Sequence, residues 1–231
     1  MIKKIPFLEK TTRKLQQLWI SLPYVFNNSE SYWIERYQSG GNSGEGSYNE
    51  LAEFKAEILN QFVGQENIKS VIEFGCGDGN QLKLCKYPAY LGFDISPDAI
   101  NRCKKIFKND HTKDFRLMSN YAHQTAELTL SLDVIFHLVE DNVFEEYMHR
   151  LFDASEKYVI IYSSDYEGNS VLDGAHVRHR KFTEWVGQNK PEWKLINYIP
   201  NRFPLVKDSV KGSPSDFYIY EKSPGPEESR P

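Results

Sequence analysis

VIEFGCGDG at residues 71–79 and YLGFD at residues 90–94 decide the fold of this chain. Each is a short apolar run of the kind that forms a buried strand, and the first ends in a glycine-rich turn. Gly75 and Gly77 permit positive φ and leave room for a ligand beside the main chain. Asp94 follows the turn at about the spacing at which a nucleotide-binding α/β unit places its ribose-binding acid, ~20 residues. The pattern predicts a strand, a glycine turn, a helix and a second strand that together bind an adenosine-containing cofactor.

The spacing of the glycines argues against a dinucleotide ligand. A dinucleotide fingerprint reads G-x-G-x-x-G, whereas the third glycine here, Gly79, comes one residue early. Glu73 stands two residues before the first glycine, at the predicted carboxyl end of the strand. A negative charge there would repel a pyrophosphate and would suit a cationic amine or a hydroxyl. The ligand is therefore expected to lack a pyrophosphate.

These motifs resemble those of the class I S-adenosylmethionine-dependent methyltransferases, whose first motif is E/D-x-G-x-G-x-G and whose second strand ends in an acid. EFGCGDG at 73–79 matches the first motif without a gap, and GFDIS at 92–96 matches the second. The likeness extends over roughly residues 32 to 221. It implies S-adenosyl-L-methionine as methyl donor, S-adenosyl-L-homocysteine as product and no metal. The alternative is a glycine turn in some other α/β protein.

A narrower likeness comes from SGGNSG at 39–44 and HVRHR at 176–180. Together they are similar to methyltransferases of bacterial surface-glycan or natural-product gene clusters. This likeness implies methyl transfer to a hydroxyl of a sugar or other small polar acceptor. An N-methyltransferase of a small molecule is the nearest alternative, and a catalytically inactive cofactor-binding partner subunit is the alternative from another class.

Composition sets bounds on class and partners. A chain of 231 residues suits one α/β domain. A net charge of -4 gives no basic footprint for nucleic acid, which makes DNA or RNA an unlikely partner. Cys76, Cys85 and Cys103 form no metal-ligand spacing and are expected to be reduced thiols in a cytoplasmic protein. No apolar run approaches the length of a membrane span, and no signal peptide is expected.

The chain divides into three predicted parts. Residues 1–30 are an N-terminal helical extension, 31–221 a methyltransferase domain that begins with a lid at 31–50, and 222–231 a disordered tail. Residues 5–22 place leucines near helical spacing with basic residues between them. Such a helix could contact a membrane surface or a partner protein, or pack on the domain as a cap.

Strands and helices are predicted to alternate. Strands are predicted at 69–74, 90–94, 115–118, 128–136, 158–162, 193–199 and 216–221, and helices at 51–64, 96–105 and 142–152. Alternation implies a doubly wound α/β fold with right-handed crossovers. The last two strands have no helix between them. The fold class is therefore a mostly parallel, seven-stranded Rossmann-like methyltransferase sheet with a C-terminal antiparallel hairpin.

The cofactor is expected at the carboxyl ends of the first, second and fourth strands, where an open α/β sheet binds its ligand. By the resemblance, Glu73, Gly75 and Gly77 hold the methionine part and Asp94 holds the ribose. Ile95 is placed to pack on the adenine.

Two further cofactor residues are less sharply defined by the pattern. Ser119, after the third strand, is expected near the adenine amine, although a turn role is equally open. Asp133, expected inside the fourth strand, either approaches the donor or bonds to a turn.

Residues 32–48 resemble the N-terminal lid of methyltransferases. The segment is glycine- and serine-rich yet bracketed by aromatic residues, which a free linker would not need. Arg36 is expected to pair with the donor carboxylate, while Tyr37 and Ser47 close over the methionine end. The alternative is a surface loop.

Histidines are the candidate general bases, because a hydroxyl acceptor must lose a proton and imidazole titrates near neutrality. His176 and His179 follow the fifth strand, and His137 follows the fourth. His137 has a structural role at the strand end as its alternative. Arg178 and Arg180 could bind an anionic substrate or could form a solvated basic loop.

Overall fold

The computed structural model describes residues 26–171, 173–205 and 212–224. Its centre is a sheet of seven strands: β1 (Val71–Phe74), β2 (Tyr90–Asp94), β3 (Lys113–Leu117), β4 (Ala126–Leu132), β5 (Ser155–Ser163), β6 (Trp193–Ile199) and β7 (Asp216–Lys222). The strand order is β3-β2-β1-β4-β5-β7-β6. β1 to β5 are mutually parallel, and β7 runs antiparallel between β5 and β6. The predicted fold class is confirmed.

Five α-helices occur in the described part of the chain: α1 (Ser29–Gln38), α2 (Asn49–Gln65), α3 (Pro97–Ile106), α4 (Asp141–Asp153) and α5 (Phe182–Asn189). α3 begins as predicted, because the Ser96 hydroxyl accepts a hydrogen bond from the Ala99 amide and Pro97 takes the first helical position. α2 extends to Gln65, one residue beyond the predicted end at 64. α1 and α5 were not predicted. The predicted helix at 5–22 and most of the predicted tail lie outside the described residues.

The connection after the glycine turn differs from the prediction. An α-helix was expected between β1 and β2, and the structure has only a 3₁₀ helix at Gln81–Leu84. Residues 80–89 include Pro88, which cannot continue a helix, so too few residues remain for several α-helical turns. The glycine turn is therefore connected to β2 by a short segment that contains one 3₁₀ helix and no α-helix.

The end of β4 also differs from the prediction. The strand stops at Leu132, because Asp133 adopts a left-handed backbone conformation with φ of 57°. Asp133 thus lies just beyond the strand, and residues 135–137 turn away as a 3₁₀ helix. The turn brings the Asp133 side chain to the carboxyl edge of the sheet.

Side chains of β1 alternate between two buried layers. Val71 packs in the layer covered by α2 and α3, while Ile72 and Phe74 pack in the layer covered by α4 and α5. By the same alternation Glu73 belongs to the Val71 layer, where it is 5% exposed. The pleat of the strand thus places a carboxyl group inside the apolar core at the sheet edge.

A buried ion pair joins α2, β4 and the C-terminal hairpin. Lys55 Nζ lies 2.7 Å from Asp133 Oδ2, and its side chain is almost completely buried. The Ser215 hydroxyl donates to Asp133 Oδ1 over 2.8 Å. Lys55 also lies over the Tyr162 ring, 5.2 Å from the centroid. These contacts hold Asp133 in its left-handed conformation at the sheet edge.

Lys55→Met should destabilise the fold by about 3–5 kcal/mol, because it leaves the Asp133 carboxylate without its cation. The double variant Lys55→Met, Asp133→Asn should recover part of that loss, since no isolated charge remains. Urea denaturation measures both. Lys157→Met is the control, because its pair with Glu127 is solvent-exposed on the lysine side. A Lys55→Met protein as stable as the control would contradict the role of the pair.

Candidate functional site

A cavity of ≈ 690 Å³ opens at the carboxyl ends of β1, β2 and β4, a volume ordinary for a small-molecule site. Most of the sequence-predicted site residues line it. They are Tyr37, Ser47, Glu73, Gly75, Gly77, Asp94, Ile95, Ser119, Asp133 and His137. Residues far apart in the sequence therefore meet in one wall, as the sheet topology requires.

Asp94 ties the glycine turn to the second strand. Its Oδ2 accepts a hydrogen bond from the Gly77 amide and its Oδ1 accepts one from the Ser96 amide, both over 2.9 Å. Burial raises the pKa of the Asp94 carboxyl to about 6, and the backbone amides oppose that rise. The group is therefore mainly ionised at neutral pH. A carboxylate has about four acceptor positions, so the group can still accept from a ligand hydroxyl.

Gly77 is the glycine that the turn most needs. Its φ is 59°, and an added Cβ would lie 2.4 Å from the Ser43 hydroxyl oxygen. The backbone of the turn and the lid thus approach each other more closely than any side chain would allow.

Glu73 is a carboxyl group held close to its titration point. The Tyr90 hydroxyl donates to Glu73 Oε2 over 2.6 Å. Burial raises the pKa of Glu73 to about 7, against the opposing effects of the Tyr90 hydrogen bond and the Lys55 charge. A cation brought into the cavity beside Glu73 would favour the ionised carboxylate. The site is thus suited to a positively charged group.

Glu73→Gln should make the free protein more stable than wild type at high pH. Because the folded state raises the pKa of Glu73 from 4.5 to about 7, ionisation costs the wild type stability as pH rises through that interval. The difference should be about 1 kcal/mol at pH 5 and about 3 kcal/mol at pH 9, since one pKa unit is about 1.4 kcal/mol. Denaturant unfolding at pH 5, 7 and 9 measures it, with the exposed Glu53→Gln as control. Identical pH profiles for Glu73→Gln and wild type would refute the account.

The lid closes on the glycine turn through Asp78. The Ser43 amide and the Tyr48 hydroxyl both donate to Asp78 Oδ2, over 3.1 Å and 2.7 Å. The Asp78 amide in turn donates to the Ser43 hydroxyl, which also bonds to Tyr37 over 2.9 Å. Arg102 of α3 donates to the Tyr37 carbonyl over 2.7 Å. The lid is therefore a bonded layer over the turn rather than a loose surface loop.

Arg36 lies outside the cavity wall. Its Nε donates to the Asn42 carbonyl over 2.7 Å, and the guanidinium lies 5.5 Å from the centre of the Trp33 ring. The predicted pairing of Arg36 with a donor carboxylate stays a prediction. Lys55, which was not predicted, is the buried cation that does line the cavity.

His137 presents a neutral ring to the cavity. Its Nδ1 lies 3.1 Å from the His176 carbonyl oxygen. A carbonyl can only accept, so Nδ1 carries the proton and Nε2 is left able to accept one. Burial lowers the pKa of His137 to about 4, which keeps the ring unprotonated at neutral pH. Trp33 packs edge-on against the ring at 4.9 Å and fixes its plane.

The other two predicted histidines do not line the cavity. His176 stacks on Tyr32 with ring centroids 4.2 Å apart and supplies the carbonyl that orients His137. His179 is buried, with Nδ1 2.6 Å from the Ser164 hydroxyl. Their predicted roles as general base stay predictions.

Arg178 and Arg180 support the loop that carries His137. Both pair with Asp141, at 2.9 Å and 3.1 Å. Arg178 donates to the Val139 carbonyl, and Arg180 donates to the carbonyls of Leu138 and Val139. Neither arginine lines the cavity, so these contacts favour a structural role over the suggested binding of an anionic substrate.

Several cavity residues were missed from the sequence. The unpredicted members of the wall include Trp33, Lys55, Gln81, Met118, Tyr121, Glu140, Asn142, Glu146 and Arg150. One face of α4 carries Asn142, Glu146 and Arg150, because they are spaced four residues apart. This spacing could have indicated from the sequence that they line one surface. Lys55 interrupts the apolar face of α2, a second signal. Nothing in the sequence marks Gln81.

Within residues 26–171, 173–205 and 212–224, no group of three or more histidine, cysteine or acidic side chains is placed to hold a metal ion. None of the helices in this described part is both long and apolar enough to cross a membrane.

A family model described as a methyltransferase domain matches residues 48–203. No curated protein matches the chain. The matched segment contains the glycine turn, the second strand and His137.

Solved structures share the fold. The N-methyltransferase NodS from Bradyrhizobium japonicum, in complex with S-adenosylhomocysteine, matches with a TM-score of 0.65 and 12% identity, covering 85% of this chain and 99% of its own. Magnesium protoporphyrin IX methyltransferase from Synechocystis, with S-adenosylhomocysteine bound, matches with a TM-score of 0.58 and 13% identity, covering 84% of this chain and 96% of its own. The small RNA methyltransferase HEN1 matches with a TM-score of 0.58 and 16% identity, covering 79% of this chain and 27% of its own. At these sequence identities the matches show a shared fold. The names of the three proteins indicate different methyl acceptors.

Proposed function

Because the chain belongs to the S-adenosylmethionine-dependent methyltransferases by its family match over residues 48–203, we propose that it moves a methyl group to a hydroxyl of a sugar or other small polar acceptor. His137 acts as the general base. The observation that carries the proposal is the cavity in which two buried carboxyl groups and a neutral imidazole meet. The carboxyl groups of Glu73 and Asp94 suit a cationic donor, and the imidazole of His137 suits a hydroxyl acceptor.

The residues of the cavity fit the donor. Bound there, S-adenosylmethionine supplies an electrophilic methyl group on a sulfonium. Asp94 would accept the ribose hydroxyls and Glu73 the ammonium, while Ile95 and Ser119 lie where the adenine is expected. The lid segment, bonded to the glycine turn, would cover this end of the donor.

The chain contributes to transfer mainly by position. Transfer is an in-line displacement, so holding the acceptor oxygen against the methyl supplies much of the rate. His137 Nε2 would take the acceptor proton, because Nδ1 is committed to the His176 carbonyl. Trp33 packs against that ring at 4.9 Å and limits its rotation.

The charges of the wall favour an uncharged or cationic acceptor. Its cations are Lys55, paired with Asp133, and Arg150, paired with Glu146. Glu30 and Glu140 add negative charge to the same wall. An anionic acceptor would therefore meet repulsion without a free counter-charge among the described residues.

An amine acceptor is the second candidate, because the acidic wall would also attract a cation. The inactive partner subunit is the third, and donor binding without turnover would favour it. We also propose that the protein acts in the cytoplasm, in the biosynthesis of a glycan or a natural product.

Asp94→Ala should weaken S-adenosylhomocysteine binding by about 2–3 kcal/mol, if both ribose bonds are charge-assisted. Lowering the pH from 7 to 5 should weaken binding to the wild type, because the Asp94 carboxyl becomes protonated below its pKa of about 6. The variant should lack that part of the pH dependence. Calorimetry measures both, with the exposed Asp114→Ala as control. Unchanged affinity of Asp94→Ala would exclude the ribose role.

His137→Asn should lower the turnover number by roughly 10²–10⁴-fold while donor binding stays unchanged. The acceptor must first be found by screening neutral sugars, phosphorylated sugars and amines for formation of S-adenosylhomocysteine. Exposed His111→Asn is the control. Loss of turnover in His176→Asn or His179→Asn but not in His137→Asn would move the base to that residue, and turnover only on phosphorylated sugars would contradict the proposed acceptor class.

A further inference from the structure

Arg180 is a buried cation that the proposed transfer does not use. Only 7% of the residue is exposed, and its guanidinium lies 4.7 Å from the centre of the Phe144 ring. Its carboxylate partner, Asp141, keeps 73% of its side chain in solvent. An ion pair with so exposed a partner contributes little stability, whereas burying a guanidinium costs free energy. The ion pair alone therefore does not account for the burial of this charge.

The other hydrogen bonds of Arg180 go to the loop that carries His137. Nη1 donates to the Leu138 carbonyl over 2.5 Å, and Nη2 donates to the Val139 carbonyl over 2.8 Å. A planar guanidinium presents its donors as a rigid fork, so these two bonds fix the direction of two successive carbonyls. Nε is buried without a partner in the described part of the chain. The guanidinium is thus placed for the two carbonyls, although one of its own donors stays unpaired.

The segment just before Arg180 supplies the acceptor for the His137 ring. The His176 carbonyl oxygen lies 3.1 Å from Nδ1 of His137. The peptide group of this carbonyl is held at its other end as well, because the Val177 amide donates to the Gly174 carbonyl over 2.9 Å. The direction of the His176 carbonyl is therefore set by its own segment, and its distance from His137 depends on how the two segments are spaced.

Two bridges set that spacing, one on each side of His137. The Arg178 amide donates to the carbonyl of Phe136, the residue before the histidine, over 2.7 Å. The Arg180 guanidinium donates to the carbonyl of Leu138, the residue after it. The first bridge belongs to the backbone and is available to any residue at position 178. The second requires the side chain of Arg180.

Resting on the proposed function, we propose that Arg180 is a positioning residue that selects the tautomer of His137. Free histidine favours the tautomer with its proton on Nε2, whereas the proposed base needs Nε2 unprotonated. The hydrogen bond to the His176 carbonyl favours the other tautomer, with the proton on Nδ1. After Nε2 takes the acceptor proton, the Nδ1 proton still donates to the same carbonyl. Arg180 does not line the cavity, so it acts on the reaction only through His137.

Arg180→Met tests the inference in the ligand-free protein. Methionine keeps an apolar chain beside Phe144 and removes both carbonyl bonds. Nitrogen-15 NMR of the histidine rings shows which nitrogen carries the proton, and the spectrum of His137→Asn identifies the His137 signals. At pH 7 the wild type should have Nδ1 protonated, and the variant should have a mixture with Nε2 protonation. Arg116→Met is the control, because Arg116 pairs with Asp114 on the edge strand β3.

The turnover number of Arg180→Met should fall about 10- to 100-fold, the range for loss of a hydrogen bond to a charged group, while S-adenosylhomocysteine binding stays unchanged. A lower turnover with the wild-type tautomer would show a merely structural role and overturns the inference alone. A wild type with Nε2 protonated overturns it as well. Failure of the wild type to bind S-adenosylhomocysteine overturns the proposed function, a result that the NMR spectra of the free protein cannot produce.

Arg180→Lys takes the place of Arg180→Met if the methionine variant does not fold. Lysine keeps the charge beside Asp141, but its ammonium lacks the planar fork that spans both carbonyls. The share of His137 with Nε2 protonated should rise in this variant too. A share equal to that of the wild type counts against the inference.

Discussion

The Asp94 carboxylate is the point on which the site depends, because it receives backbone amides from two different elements. The Gly77 amide fixes the glycine turn and the Ser96 amide fixes the start of α3. Both bonds require an ionised acceptor at the sheet edge, yet the surrounding core raises the cost of that charge. The lid packs on the turn that Asp94 fixes, and Arg102 of the helix that starts after Ser96 holds the lid.

Buried acids give the cavity an excess of negative charge that the fold alone does not neutralise. Glu73 and Asp94 both have raised pKa values through burial, while the Lys55 charge is taken by Asp133. Sites that bind charged ligands commonly carry such unfavourable groups at some cost in stability. A ligand with a sulfonium and an ammonium group would bring positive charge to these acids, whereas an anion would meet repulsion from them.

The fold could be predicted from sequence, and so could the meeting of the expected donor residues in one cavity, because both depend on local signals. The glycine turn, the acid ending β2 and the Ser96-Pro97 helix start are each set by neighbouring residues, and parallel strands carry them to one edge. The residues around His137, where we propose that the acceptor binds, were harder to predict from the sequence. Residues 176–180 fold back on the loop after β4, where Arg178 and Arg180 meet Asp141. His179 meets Ser164 at the end of β5. Periodicity does not encode such tertiary pairings.

The bonds between the lid and the turn set a limit on the catalytic cycle. Ser43 and Tyr37 lie against Gly77, and three hydrogen bonds join Asp78 to Ser43 and Tyr48. A ligand that lay against Gly77 would be covered by these contacts, whereas Trp33 and His137 line another part of the cavity wall and make none of these bonds to Asp78. Any exchange of a ligand past the glycine turn would therefore require these hydrogen bonds to break and form again, a motion of the kind that limits turnover in many enzymes with closing loops.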